Sequence, residues 1–138
     1  MEFDADRDYP LGTERPEAVT TPSGTPLAEL TVDALRAGRI EADDLRATPA
    51  TLRLQAQGAA ANGRPELAEN LERAAELATV PHDVILAAYS ALRPHRSSAG
   101  ELEQWAERLG AEFGATRCAA FVRDARAVYA ERGLLASG

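Results

Sequence analysis

Residues 118–133 read CAAFVRDARAVYAERG, and their pattern indicates the fold class of the protein. Its apolar side chains return every three or four positions over about four turns, and Gly133 follows as a stop signal. This period is that of an α-helix with one buried face, not the alternation of a strand. The face predicted to be buried consists of Cys118, Phe121, Val122, Ala125, Val128, Tyr129 and Arg132.

The same period extends upstream through four earlier helices. Ser98 and Glu101 have the spacing of a capping box, and the helix that they open ends at Gly114. Three other helices open at Thr48-Pro49, Pro65 and Pro81. The first of them ends at Asn62-Gly63, and the third ends before Pro94. The predicted buried faces are Leu102, Trp105, Ala106, Leu109 and Phe113; Leu52, Ala56, Ala59 and Ala60; Leu67, Leu71, Ala74, Leu77 and Ala78; and Ile85, Ala88, Tyr89 and Leu92.

The N-terminal region has a different character. Pro10, Pro16, Pro22 and Pro26 each remove a backbone donor, so we expect an extended arm over 1–30. A helical domain then follows over 31–138, where Thr31 caps a short helix and 41–46 add another turn. We therefore predict one all-α domain, an open bundle of three or more main helices with an irregular, extended, Pro-rich N-terminal segment.

Composition narrows the possible partners and compartments. The 138 residues carry a net charge of −7, and all 15 basic residues are arginine, which excludes lysine chemistry and disfavours nucleic acid as a partner. The single cysteine excludes an internal disulfide and favours a reducing cytosol. The longest apolar run, 84–89, is too short to span a membrane. We expect a soluble, cytoplasmic protein without a membrane partner.

The residues that most often perform chemistry form no recognisable constellation. Cys118 lies on the apolar face of the last helix, where a small buried hydrophobe is a simpler interpretation than a nucleophile. His82 and His95 are separated by a whole helix, so a metal site is disfavoured. Glu66, Glu69, Glu72 and Glu76 form an acidic stripe in which Glu69 pairs with Arg73. We predict no catalytic, cofactor-binding or metal-binding residue on this chain.

Residues 91–98, ALRPHRSS, are harder to explain as a simple turn. Arg93 and Arg96 flank the break at Pro94, and guanidinium groups in fixed directions suit docking onto carboxylates or carbonyls. The alternative is a turn in which both arginines serve the chain itself, for example by capping the neighbouring helices.

This octapeptide, with its surroundings, resembles the small (gamma) subunit of adenosylcobalamin-dependent diol and glycerol dehydratases. The resemblance is collinear from Asp8 to Arg132. The matching blocks are DYPL at 8–11, RPE at 15–17, Thr21-Pro22 with Gly24, TLRLQA at 51–56, NLERAAEL at 70–77, Val80-Pro81, Tyr89, the octapeptide, AAFVR at 119–123, and Tyr129.

The resemblance implies a hetero-oligomer with two copies each of large, medium and small subunits, which converts 1,2-diols or glycerol to aldehydes with loss of water. In that family the adenosylcobalamin, whose cobalt–carbon bond breaks to start a radical reaction, lies between the large and medium subunits. Substrate and metal ion lie in the large subunit. This chain would be noncatalytic and would stabilise the assembly. Tyr9, Pro10, Arg15, Pro16, Arg93 and Arg96 are its candidate partner contacts.

Two features leave parts of this interpretation open. Only seven residues precede Asp8, whereas relatives nearest diol dehydratase often carry a longer extension linked to bacterial microcompartments, so packaging stays undecided. The diol branch is slightly favoured over the glycerol branch. The competing hypotheses are a free-standing helical interaction module and, more weakly, an enzyme acting through Cys118.

Overall fold

The structure is a computed structural model that describes residues 2–137. The prediction of an all-α protein is confirmed: these residues form helices and no named strand, with only an isolated bridge between Thr20 and Pro26. The chain divides into two compact units, Met1–Ala78 and Thr79–Gly138.

The first unit begins with an irregular segment that nevertheless contains short helical turns. These are α1 (Leu11–Glu14) and two 3₁₀ turns, Pro16–Ala18 and Leu27–Glu29. The prediction that prolines would keep this segment free of helix was wrong at these turns. Pro10 precedes α1 and Pro16 is the first residue of its turn, and a proline is tolerated there because no helical partner is needed for its nitrogen.

The next elements follow their local signals. Thr31 caps α2 (Val32–Arg36), its hydroxyl accepting the Ala34 N–H at 3.1 Å. Gly38 then has a φ of +68°, which favours glycine. A 3₁₀ turn over Ala42–Leu45 follows at the expected place.

Helices α3 (Pro49–Ala61) and α4 (Pro65–Leu77) form a hairpin and pack on each other. The Thr48 hydroxyl caps α3, and Glu69 and Arg73 pair at 3.3 Å on α4, both as predicted. The buried faces differ from the predicted ones because the arm and the hairpin contact cover other positions. Exposed instead of buried are Ala60, Leu67 and Ala78, and buried instead are Thr51, Gly58 and Ala75.

The second unit consists of α5 (His82–Ala91), α6 (Ala99–Phe113) and α7 (Thr116–Arg132). The predicted capping box of Ser98 and Glu101 is confirmed, and Gly114 and Gly133 end α6 and α7 in the left-handed conformation. Helices α6 and α7 pack together. Their buried residues are Leu102, Ala106, Leu109, Cys118, Ala119 and Val122.

Some large side chains that were predicted to be buried in this unit are exposed. Tyr89 is 74% exposed, and Phe121 and Val128 are 48% and 39% exposed. On α5 it is Val84 and Ala88, four positions apart, that are buried. Periodicity locates a helical face, but the packing partner decides which part of a wide face is covered. None of the helices over residues 2–137 combines the length and apolar character of a membrane span.

Candidate protein-contact sites

The first site lies in the N-terminal arm and is organised around the carboxylate of Asp8, which is 2% exposed. Arg7 donates to both of its oxygens at 2.7 and 2.8 Å, Arg15 Nη1 donates at 2.8 Å, and the Asp4 N–H donates at 2.9 Å. The Arg7 hydrogen bonds, together with the Asp4 N–H and the Arg15 charge, hold the pKa of Asp8 far below its usual range. The carboxylate therefore stays ionised and fixes the arm's fold.

Tyr9 attaches the arm to helix α3. The ring lies against Gly58, since a Cβ atom on this glycine would be 2.7 Å from the ring's Cδ2. The other side of Tyr9 is open, with 46% of the residue exposed. Pro10, joined to Tyr9 by a cis peptide bond, is exposed beside it. This part of the arm thus rests on its own chain and keeps an outer face in solvent.

The remaining two candidate residues of the arm have different surroundings. Arg15 is mostly covered and donates to Asp8 and, through Nε, to Glu17 Oε1 at 2.6 Å. Pro16 is exposed at the start of its 3₁₀ turn. The structure brings Tyr9, Pro10 and Arg15 into one part of the first unit, where Arg15 already has an internal role.

The second site is the turn at 91–98, which the C-terminal segment holds in place. The His95 N–H donates to the Leu134 carbonyl at 2.7 Å, and the Ala136 N–H donates to the Ser97 carbonyl at 2.9 Å. The Ser97 hydroxyl bonds the Ala91 carbonyl at 2.8 Å. His95 has a φ of +61°, a left-handed conformation uncommon outside glycine. The turn is therefore fixed by hydrogen bonds along its length.

Arg93 and Arg96 project from this turn and are both exposed. Neither guanidinium has a hydrogen-bond or ion-pair partner within residues 2–137. The alternative in which they cap the neighbouring helices is therefore not what the structure contains. An exposed, unpaired guanidinium on a fixed backbone can bind a carboxylate with little loss of backbone entropy.

The residues considered for chemistry are placed apart from one another. Cys118 is buried on α7, His82 is exposed at the start of α5, and His95 is exposed in the turn at 91–98. Of the acidic stripe, Glu66 and Glu69 are exposed, while Glu72 and Glu76 are half-buried. In the described part of the chain, His, Cys, Asp and Glu side chains form no group of three that could hold a metal ion.

Sequence reasoning missed several residues that build these sites. Asp8 was noted only within the DYPL block, and the structural role of Gly58 was overlooked, although an isolated glycine inside a helix is a known sign of close approach. The contacts of Leu134 and Ala136 had no sequence signal. They join backbone groups that lie far apart along the chain, which periodicity cannot detect.

These features define an all-α protein with two candidate contact sites, the arm built around Asp8 and the turn at 91–98. A family model described as dehydratase small subunit matches residues 5–136, and the chain belongs to this family.

Two relatives are similar over most of the chain. The propanediol dehydratase small subunit of Citrobacter freundii is 49% identical over 125 residues, which are 91% of this chain and 73% of that protein. Its counterpart in Salmonella typhimurium strain LT2 is 48% identical over 125 residues, 91% of this chain and 72% of that protein. The predicted family membership is confirmed.

Proposed function

We propose that this chain is the noncatalytic small subunit of an adenosylcobalamin-dependent dehydratase that converts 1,2-propanediol or glycerol to an aldehyde and water. The observation that carries the proposal is the 49% identity, over 91% of the chain, to a protein named propanediol dehydratase small subunit. As a small subunit, the chain acts with partner subunits. We take these to be a large and a medium subunit, with two copies of each of the three chains, in the cytoplasm.

The cofactor belongs to the partners in this proposal. Three depressions formed by described residues have volumes of about 250, 330 and 360 Å³. Adenosylcobalamin, a corrin ring with adenosyl and nucleotide arms, is larger than the drug-sized ligands that fill pockets of about 300–1,000 Å³. None of these three depressions is large enough to hold the group.

The role of the chain in the complex is to stabilise the assembly through its two exposed sites. In the arm over 1–30, the outer face of Tyr9, Pro10 and Pro16 is available to a partner, with Arg15 at its base. In the turn, Arg93 and Arg96 are available. Both sites sit on backbone that is already ordered, so docking would cost little additional conformational entropy.

The experiment is co-expression of this chain with the large and medium subunits of a propanediol dehydratase. We expect the three chains to elute together in equal amounts, and to dehydrate 1,2-propanediol or glycerol when adenosylcobalamin is added. Omitting this chain should reduce the amount of assembled enzyme. Elution of the chain by itself, with the enzyme complete without it, would instead favour a free-standing helical interaction module.

A further inference from the structure

The outward face of α5 leads directly into the arginine turn. Leu86 and Tyr89 lie three residues apart, on one side of the helix, and are 55% and 74% exposed. The Arg93 N–H donates to the Ser90 carbonyl at 3.3 Å, so the backbone continues the last turn of α5 to this residue. Two exposed arginines thus follow Tyr89 at four and seven positions along the chain, and we name Leu86, Tyr89, Arg93 and Arg96 the α5 stripe.

The composition of the α5 stripe is that of a binding surface. Tyrosine and arginine are enriched among the residues that dominate binding free energies, and they act when a partner removes them from water. Leu86 and Tyr89 would supply apolar area on docking. Arg93 and Arg96 would need acceptors, because they have none within residues 2–137.

The charge of the α5 stripe decides what can cover it. A second copy docking through the same face would present leucine, tyrosine and arginine but no carboxylate, so the guanidinium groups would be covered without a charged partner. Nucleic acid would leave the exposed side chain of Leu86 without an apolar contact, and the match to a dehydratase small subunit points to other protein subunits and not to lipid. A different protein chain that presents an apolar patch with carboxylates at its edge could cover Leu86 and Tyr89 and also pair with Arg93 and Arg96.

We propose that Leu86 and Tyr89 are the apolar half of the contact whose charged half is Arg93 and Arg96, and that the partner subunit presents an apolar patch bordered by Asp or Glu. This inference rests on the proposed function, since it takes the covering chain to be the large or the medium subunit. It adds to that function a specific helix face and the chemistry of the surface that faces it.

The test is a titration of the full-length chain against the purified complex of large and medium subunits. We expect Leu86→Ala and Tyr89→Ala each to raise Kd by roughly tenfold or more, because hot-spot residues have this effect when truncated. The increase in Kd caused by these two variants should be the same in high salt, because apolar contacts are not screened. The contribution of Arg93 and Arg96 to binding should become smaller as salt screens their charges. Leu45→Ala is the matched control, since Leu45 is 66% exposed in the other unit and should leave Kd unchanged.

The outcomes separate the inference from the proposed function. If the wild-type chain does not bind the subunit complex, the proposed function fails. If it binds, and both variants with wild-type circular dichroism bind equally tightly, the proposed function stands and the α5 stripe is wrong. Should a variant not fold, hydroxyl-radical footprinting of the wild-type complex decides: Tyr89 must become protected on assembly, and unchanged oxidation overturns the inference.

Discussion

The hydroxyl of Tyr129 donates to the carbonyl oxygen of Leu92 across 2.6 Å, which ties the last helix to the end of α5. Leu92 immediately precedes Arg93, so this bond fixes the backbone from which the arginine turn starts. The carbonyl is held by a side chain 37 positions further along the chain.

The substitution Tyr129→Phe should lower the free energy of unfolding by about 1 kcal/mol, because it removes one hydrogen bond and leaves the Leu92 carbonyl without this side-chain donor. Thermal melting followed by circular dichroism measures the change. Tyr89→Phe is the matched control, since within residues 2–137 the Tyr89 hydroxyl has no partner, and its melting temperature should not move. Equal melting temperatures for both variants would contradict the importance of the Tyr129 bond.

Gly58→Ala should loosen the arm, because the added Cβ would lie 2.7 Å from the Tyr9 ring and the ring must move. In the Tyr9→Ala background the same change should stabilise the chain by about 0.5–1 kcal/mol, the ordinary preference of a helix for alanine over glycine. Urea denaturation of the four proteins gives the coupling. Gly110→Ala, whose Cβ would meet Ala119 at an ordinary 3.7 Å, is the control and should stabilise in either background. Additive effects of the Tyr9 and Gly58 changes would refute the contact.

The arm should become less stable in acid. Because the Arg7 hydrogen bonds lower the pKa of Asp8 in the folded chain, the unfolded chain binds more protons as the pH drops below about 4, and stability falls with it. Hydrogen exchange of the Arg7 and Asp8 amides between neutral pH and pH 3, corrected for intrinsic rates, measures the loss. Asp8→Asn should reduce this pH dependence, leaving the smaller part that comes from the lowered pKa of Glu17, and should loosen the arm at neutral pH. Asp6→Asn, at an exposed carboxylate, is the control and should change neither the pH dependence nor the exchange rates at neutral pH.

The double variant Arg93→Ala/Arg96→Ala should fold normally and lose assembly. Losing a desolvated, charge-assisted pair costs about 2–5 kcal/mol, enough to weaken binding by more than tenfold. Size exclusion measures the complex, and activity per assembled complex should stay unchanged. Arg36→Ala, at an exposed arginine of the other unit, is the control. Full assembly with collapsed activity would mean that the arginines act in the reaction, against a noncatalytic subunit.

The helix boundaries were predictable because their signals are local. The hydroxyls of Thr31, Thr48 and Ser98 accept the amides expected of caps, and Gly114 and Gly133 end their helices. These signals act over a single turn of backbone and need no knowledge of the rest of the chain.

The surfaces were less predictable because they depend on contacts between distant segments. Tyr89 has the spacing of a buried residue and is exposed, since the covered part of α5 is the side of Val84. Asp8 looks like a surface carboxylate in sequence, and only folding of the arm places two arginines against it. The free arginines of the turn were identified as candidates, but their lack of internal partners is a property of the tertiary structure.

The buried thiol of Cys118 gives the second unit an internal reporter of its own opening. Cys118 is the single cysteine and lies on α7, the helix that packs on α6. Because the thiol is buried, a bulky disulfide reagent reaches the sulfur when this unit opens locally, so the labelling rate relative to an exposed thiol measures the population of the opened state. Comparing that rate with and without the other subunits tells how far assembly suppresses local unfolding of this unit. Reagents that label only surface residues would not detect this opening.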